Sequence, residues 1–406
     1  MKRVHYAWVV NICAMLCMFC NVGLGSSAFA VYQPYLIEVA GLTNSQSSAL
    51  IMIRSLFSLL AMSVVGFYSR KLGVRLAVTL AVCGSAAAFF VYATADSFPV
   101  YCAAAALNGT FYTLGGIVPS SLLVERWFET HRGIAFGICA TGTSIASIFM
   151  PPLCTWLIER YSLHVTFLLE TGLLLFLAVV LFLLVRGDPA SVGLEPLGHG
   201  ETAAIEQTSH GRSLSRGNLA LMCLAMVMLG TIGNTGFSHL GVLFSSEGFP
   251  AGKVSFFLSL LGVMLSVSKC LYGQTVDRIG AYRTGYLFFG TTAAGVALCT
   301  IPGLGGMAGA VAAILLQGTG LALCSVGLSV FAGDLAPRDQ YGKTIRRFQT
   351  SYTCGAILFG SCPGILADLT GSYRPAYLIL TVFAFLAAII VQGTYHRVLA
   401  REAAQG

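Results

Sequence analysis

The chain has 406 residues, of which 56% are hydrophobic and only 10% charged, and its mean hydropathy is +0.80. A soluble domain carries about 25% charged residues, so a water-soluble globule is excluded and the bilayer is the solvent for most of the chain. The formal net charge is +7, and where the basic residues fall decides what that charge means.

Apolar runs long enough to cross a bilayer, which takes about 20 helical residues, recur at residues 6–30, 46–68, 74–94, 98–122, 132–155, 163–185, 218–244, 253–275, 284–301, 305–333, 344–366 and 373–396. Inside hydrocarbon a helix satisfies its own backbone, so the expectation is an all-α membrane protein of twelve spans. The runs divide into a six-helix bundle over 1–185, a linker over 186–217 and a second six-helix bundle over 218–406. With the amino terminus placed inside, 18 of the 23 Lys and Arg fall on inner segments, among them Lys2, Arg3, Arg212, Arg338 and Arg401. Arg160, Lys253 and Arg374 face outward, and Arg54 and Lys269 lie within spans. Inner loops retain basic residues, so both termini are expected in the cytoplasm of a multi-pass cell-membrane protein. The positive charge then calls for no nucleic acid. The basic start before a long apolar run reads as a retained first helix, because no small-residue cleavage site precedes Tyr32 and Pro34.

In chain order, the first span carries Asn21, Gly23 and Gly25 and is expected to end at Tyr32-Gln33-Pro34-Tyr35. A polar and small patch at mid-span suits either a cavity wall or close helix packing. Cys13, Cys17 and Cys20 share a face of this helix and read as packing thiols in preference to metal ligands; the 13 cysteines show no paired spacing. The second span holds Arg54, about 12 Å from its outer start at 1.5 Å per residue. A lipid-facing Arg costs about 2.5 kcal/mol or more, so Arg54 either meets an anionic substrate, snorkels outward or pairs with Glu38.

After the second span comes GFYSRKLGVR, from Gly66 to Arg75, and 207 positions on, from Gly273, comes GQTVDRIGAYR. The repeat is one structural unit used twice. Gly273 offers close helix approach, Asp277 and Arg278 offer charges to pair across the turn, and Gly280 permits the reversal. Residues 273–280 resemble the loop signature G-x-x-x-D-R-x-G of the major facilitator superfamily. That resemblance implies two six-helix bundles and a conformational latch formed by Gly273, Asp277, Arg278 and Gly280. The first copy keeps Gly66 and Gly73 but has Arg70 in place of the acid and Lys71 in place of the arginine.

The fourth span brings Asn108 and Tyr112, and ERWFETHRGIAFGICATGTS follows from Glu125 to Ser144. Trp127, Phe128, Arg132, Ala135, Gly137 and Gly142 resemble the loop and fifth helix of the monocarboxylate porters and oxalate/formate antiporters. Asp188-Pro189-Ala190 with Gly193, Leu194, Pro196 and Gly198 resembles the same branch beyond the sixth helix. In the sixth span Glu170 is a carboxylate at membrane depth, suited either to proton coupling or to a structural pairing. The linker is rich in Gly, Ser and Pro and holds His199 and His210, read as solvated.

The seventh span offers Asn234 and His239, and the eighth carries Lys269 four residues before Gly273 and eight before Asp277. A buried ammonium must find water, a carboxylate or a bound anion. In the branch named above a cation at this offset contacts the substrate carboxylate, which implies that role for Lys269; a snorkel towards Asp277 is the alternative. The sequence departs from the branch at Leu265, where proton-coupled porters place an aspartate, and at Thr353 and Cys354, where oxalate exchangers place a lysine. Gln317 in the tenth span and Tyr352 in the eleventh complete the polar set, and Arg346 and Arg347 read as interfacial anchors or the lining of an anion path.

No Walker motif, metal-ligand cluster or nucleophile with a base occurs, so neither an enzyme nor a cofactor is expected. The expectation is a monomeric secondary transporter whose partners are the bilayer and a small organic anion of monocarboxylate type. The substrate-binding residues expected are Lys269, Arg54, Asn21, Tyr112, Asn108, Asn234, His239, Gln317 and Tyr352. Efflux of drugs or other amphiphiles, and a non-transporting receptor, are the alternatives.

Overall fold

A backbone in hydrocarbon closes its hydrogen bonds on itself, and the computed structural model accordingly runs from helix to helix. It describes residues 5–129, 132–198, 214–337 and 340–405; His199, His210, Lys2, Arg3, Arg212 and Arg338 lie outside them. The helices are α1 (Tyr6–Glu38), α2 (Asn44–Ala93), α3 (Phe98–Leu114), α4 (Ile117–Trp127), α5 (Arg132–Arg160), α6 (Leu163–Leu184), α7 (Arg216–Gly236), α8 (Leu240–Ser246), α9 (Ala251–Leu298), α10 (Gly306–Leu335), α11 (Tyr341–Thr370) and α12 (Arg374–Gln405). Among the described residues nine helices are long and apolar enough to cross a membrane. Two of them, α2 and α9, are 50 and 48 residues long and each holds two spans. The α3–α4 pair, broken at Gly115 and Gly116, supplies another, so the twelve expected spans are present.

The turns inside α2 and α9 are narrower than the sequence implies. Helix continues through Arg70 and Lys71 and through Asp277 and Arg278, and one residue in each turn leaves helical space: Gly73 at φ 73° and Gly280 at φ 81°. Both conformations are closed to residues with a Cβ, and the two glycines are 207 positions apart. The close approach expected of Gly273 is not seen, since a Cβ there would meet nothing within 4 Å, and the same holds at Gly66. Among the described residues Asp277 and Arg278 form no ion pair.

Two boundaries also move. The first helix runs past Pro34 to Glu38, because neighbouring helices tolerate an interior proline in a membrane. The seventh breaks at His239 before α8 resumes at Leu240. Three helices carry wide π turns, at Phe19–Ala28, Thr231–Gly236 and Leu323–Gly327, each of which contains glycine. Wide turns of this kind concentrate at functional sites.

The chain divides into two compact units: Met1–Leu42 with Ile53–Ile205, and Thr43–Met52 with Glu206–Gly406. In the first, Trp127 is fully buried. Its indole donates to the Arg186 carbonyl at 2.9 Å, its ring lies 5.6 Å from Tyr6, and its carbonyl accepts from Leu197 N at 2.9 Å. Arg126 pairs with Asp188 at 2.9 Å. The aromatic motif and the Asp-Pro-Ala motif therefore meet at one end of the unit. The pair is largely exposed and worth about 0–1 kcal/mol, so the buried indole does most of the anchoring.

In the second unit, the first turns of α2 are captured by α11. Asp368 Oδ1 accepts from Asn44 N at 3.2 Å and Asn44 Nδ2 at 2.8 Å, and Oδ2 accepts from Ser45 N at 2.8 Å and from the Ser45 hydroxyl. Tyr373 donates to Asn44 Oδ1 at 2.7 Å. A side-chain carboxylate thus satisfies the backbone donors that a helix start leaves orphaned.

Candidate functional site

In the first unit the polar focus is Arg54. It is 6% exposed, and Nη1 donates to the Gly25 carbonyl at 2.6 Å, within the wide turn of α1. The guanidinium lies 5.7 Å from the Phe29 ring, with Tyr92 and Tyr112 as its electrostatic neighbours. Among the described residues no carboxylate pairs with it, Glu38 included. A carbonyl and ring faces stabilise a cation without neutralising it, so the Arg54 charge stays available to an anion. Asn108, from α3, stands beside Gly25, and its buried Oδ1 has no hydrogen-bond partner among the described residues.

The same unit holds a second buried group. Tyr32 donates to Cys154 Sγ at 3.2 Å, and Cys154 lies 3.5 Å from Glu170 Oε1. Glu170 Oε2 has no partner among the described residues, and the Tyr32 ring packs 4.6 Å from Phe167. Glu170 is thus tied into α1 and α5 by weak thiol and phenol contacts, and among the described residues no cation pairs with it.

In the second unit Lys269 is half-buried on α9. Among the described residues it takes part in no hydrogen bond and no ion pair, with Asp277 or any other group. The residue before it, Ser268, spends its hydroxyl on the Thr319 carbonyl of α10. The ammonium, by contrast, is left for a ligand or water.

Several of the other expected contacts have their polar groups committed elsewhere. Asn21 is buried, with Nδ2 donating to the Cys17 and Gly115 carbonyls at 3.0 and 3.3 Å and Oδ1 accepting from Ser85 at 2.8 Å. It fastens α1 to α2 and to the α3–α4 break. His239 is fully buried; Nδ1 donates to the Thr235 carbonyl at 2.7 Å, which leaves Nε2 to accept from Ser48 Oγ at 2.8 Å. A carbonyl can only accept, so the tautomer follows. Asn234 is half-buried and donates to the Gly230 carbonyl at 3.3 Å. Gln317 is fully buried, and its Nε2 has no partner among the described residues. Tyr352 is half-buried and packs against Gly230 and Gly233 at the α7 wide turn.

The sequence reading missed the Gly25 carbonyl and the ring of Phe29 beside Arg54. A carbonyl has no sequence signal, and aromatic residues in a span look like core. The glycine and serine content of residues 23–27 was the available hint that the helix widens there.

The family model described as Major Facilitator Superfamily matches residues 14–345 and 254–404. The chain is similar to monocarboxylate transporter 13 of Bos taurus, 26% identical over 285 residues, covering 70% of this chain and 65% of that protein. The match thus spans less than two thirds of that relative's length. It is 24% identical over 406 residues to the agnestins efflux protein AgnL12 of Paecilomyces divaricatus, covering 97% of this chain and 87% of that one. Among solved structures, that of the nucleoside transporter NupG matches with a TM-score of 0.72 at 15% identity, covering 97% of this chain and 99% of that one. At that identity the likeness speaks for the fold alone.

Proposed function

The chain belongs to the major facilitator superfamily, and from that premise we propose that it is a secondary transporter of a small organic anion of monocarboxylate type. Transport runs by alternating access, in the cytoplasmic membrane, with both termini inside. Residues 1–185 and 218–406 act as the two bundles and 186–217 as their linker, with the chain working as a monomer. The turns at Gly66, Arg70 and Gly73 and at Gly273, Asp277, Arg278 and Gly280 act as latches. Lys269 holds the substrate carboxylate, with Arg54 as the second cation, and Asn108, Tyr112, Asn234, Gln317 and Tyr352 shape the remaining contacts. Asn21 and His239 support their helices, since their hydrogen bonds are already made.

The observation that carries this reading is the Lys269 ammonium, half-buried inside a span with no partner among the described residues. A charge held at that depth costs roughly 2.5 kcal/mol or more, a cost that a visiting carboxylate offsets. The likeness to monocarboxylate transporter 13 supports the same substrate class.

The test is uptake by proteoliposomes of a labelled panel of monocarboxylates, with wild type compared to Lys269→Gln. Saturable uptake that Lys269→Gln abolishes is expected. The likeness to an efflux protein over nearly the whole chain favours a second reading, export of amphipathic molecules. Flux of neutral amphiphiles that survives Lys269→Gln would replace the first reading with the second.

A further inference from the structure

The first turns of α11 carry Lys343, Arg346, Arg347, Thr350 and Ser351. Positions three, four, seven and eight apart share one helix face, so these side chains form a single stripe. With Cys223 of α7 they line an open pocket of about 510 Å³ on the second unit, at which Lys343, Arg346, Arg347 and Thr350 are exposed. Among the described residues the lining holds three cations and two hydroxyls and no carboxylate.

Among the described residues none of these groups pairs with another charge. Lys343 and Arg347 make no hydrogen bond or ion pair among the described residues. Arg346 Nε donates to the Gly342 carbonyl at 3.0 Å, which fixes the guanidinium plane and leaves its two terminal nitrogens to face a ligand. Hydroxyls in helices normally back-bond to the preceding turn, as Thr353 does to Gln349 and Thr370 to Leu366. Thr350 and Ser351 make no such bond among the described residues, so two donors stand open beside three positive charges.

We propose that this pocket binds a phosphate-type oxyanion, as a site separate from the Lys269 and Arg54 cations. A single carboxylate would leave most of the charge uncompensated. A phosphate offers several acceptor oxygens in the fork geometry that guanidinium groups match, with the hydroxyls filling the remaining positions. The phosphate has two sources, the headgroup of an anionic lipid or a soluble phosphate compound. The site does not depend on which solute the protein moves.

The test uses the full chain in micelles of dodecyl maltoside, a detergent without phosphate. One arm adds phosphatidylglycerol and counts retained lipid by native mass spectrometry. The other titrates inorganic phosphate at constant ionic strength and follows the melting temperature. Wild type is compared with the triple variant Lys343→Gln, Arg346→Gln, Arg347→Gln, and with Lys253→Gln, which removes an exposed cation elsewhere. Binding in either arm that weakens about tenfold or more in the triple variant, and is unchanged in Lys253→Gln, supports the site. Phosphatidylglycerol alone identifies a lipid site, and inorganic phosphate identifies a soluble ligand. Wild type that binds neither probe, or a triple variant that binds as wild type does, overturns the proposal. Should the triple variant fail to fold, the single variants replace it, each expected to weaken binding about fivefold.

Discussion

Gly109 is the position where a single methyl group should disturb the candidate site most. A Cβ built on it would stand 2.8 Å from the Arg54 carbonyl carbon and 2.9 Å from the Arg54 Cα, and nearer still to the carbonyl oxygen. Carbon atoms pack comfortably at about 3.5–4.0 Å, so the α2 backbone must withdraw from α3 by about 0.7 Å or more. Every obstructing atom is backbone, so no side-chain rotation relieves the clash. Overpacking of this kind costs about 1–3 kcal/mol, and a unit of this size loses about 2–4 °C of melting temperature per kcal/mol. The displaced residue is Arg54 itself, whose 2.6 Å bond to Gly25 leaves little tolerance. Gly109→Ala should therefore melt several degrees lower and take up substrate with a raised KM. Gly172→Ala, whose Cβ meets nothing within 4 Å, should match wild type in both. The assays are thermal melting in detergent and proteoliposome uptake; a Gly109→Ala protein that matches wild type in both refutes the packing argument.

Three further outcomes are expected. Trp127→Phe should cost about 1 kcal/mol by losing the bond to the Arg186 carbonyl, and Trp127→Ala about 3–5 kcal/mol; equal melting of all three proteins would mean the indole anchors nothing. Asp368→Ala should cost about 0.5–2 kcal/mol, as loss of a helix cap does, and should speed amide exchange at Asn44 and Ser45; unchanged exchange there counts against the capping role. Glu247 accepts two bonds from Arg374, at 2.7 and 2.8 Å, and one from Gly303 N at 2.7 Å. These, the Arg374 bonds foremost, hold its carboxyl below the usual range. A depressed folded pKa means the stabilisation is complete above the unfolded value and is lost as pH falls through the folded one. Melting temperature should therefore drop as pH is taken below about 4.5, and Arg374→Gln should flatten that dependence; a parallel pH profile in the variant would remove Glu247 as its cause. Arg374 is 37% exposed, so salt will reduce the effect.

Arg54 and Lys269 stood out in the sequence because a cation inside an apolar run is anomalous whatever surrounds it, and the structure buries the first and half-buries the second. The paired glycines at 73 and 280 were legible as a repeat, although the sequence suggested a loop where the structure has one left-handed residue in a continuing helix. Asn21 and His239 looked like the same kind of signal as Asn108, yet their hydrogen bonds are made and the Asn108 oxygen is not. Nothing local separates these cases. The partners of Asn21 include Ser85 and Gly115, and those of His239 include Ser48, all remote in the chain.

The amino-acid sequence by itself determined how many times the chain enters hydrocarbon and which spans carry charge, because partition into a bilayer adds up residue by residue along a short window. The tertiary structure alone decided which polar groups are spent on neighbouring helices and which stay open. A hydrogen bond needs two atoms within about 3 Å and correctly aimed, and only the packing of helices far apart in sequence supplies that.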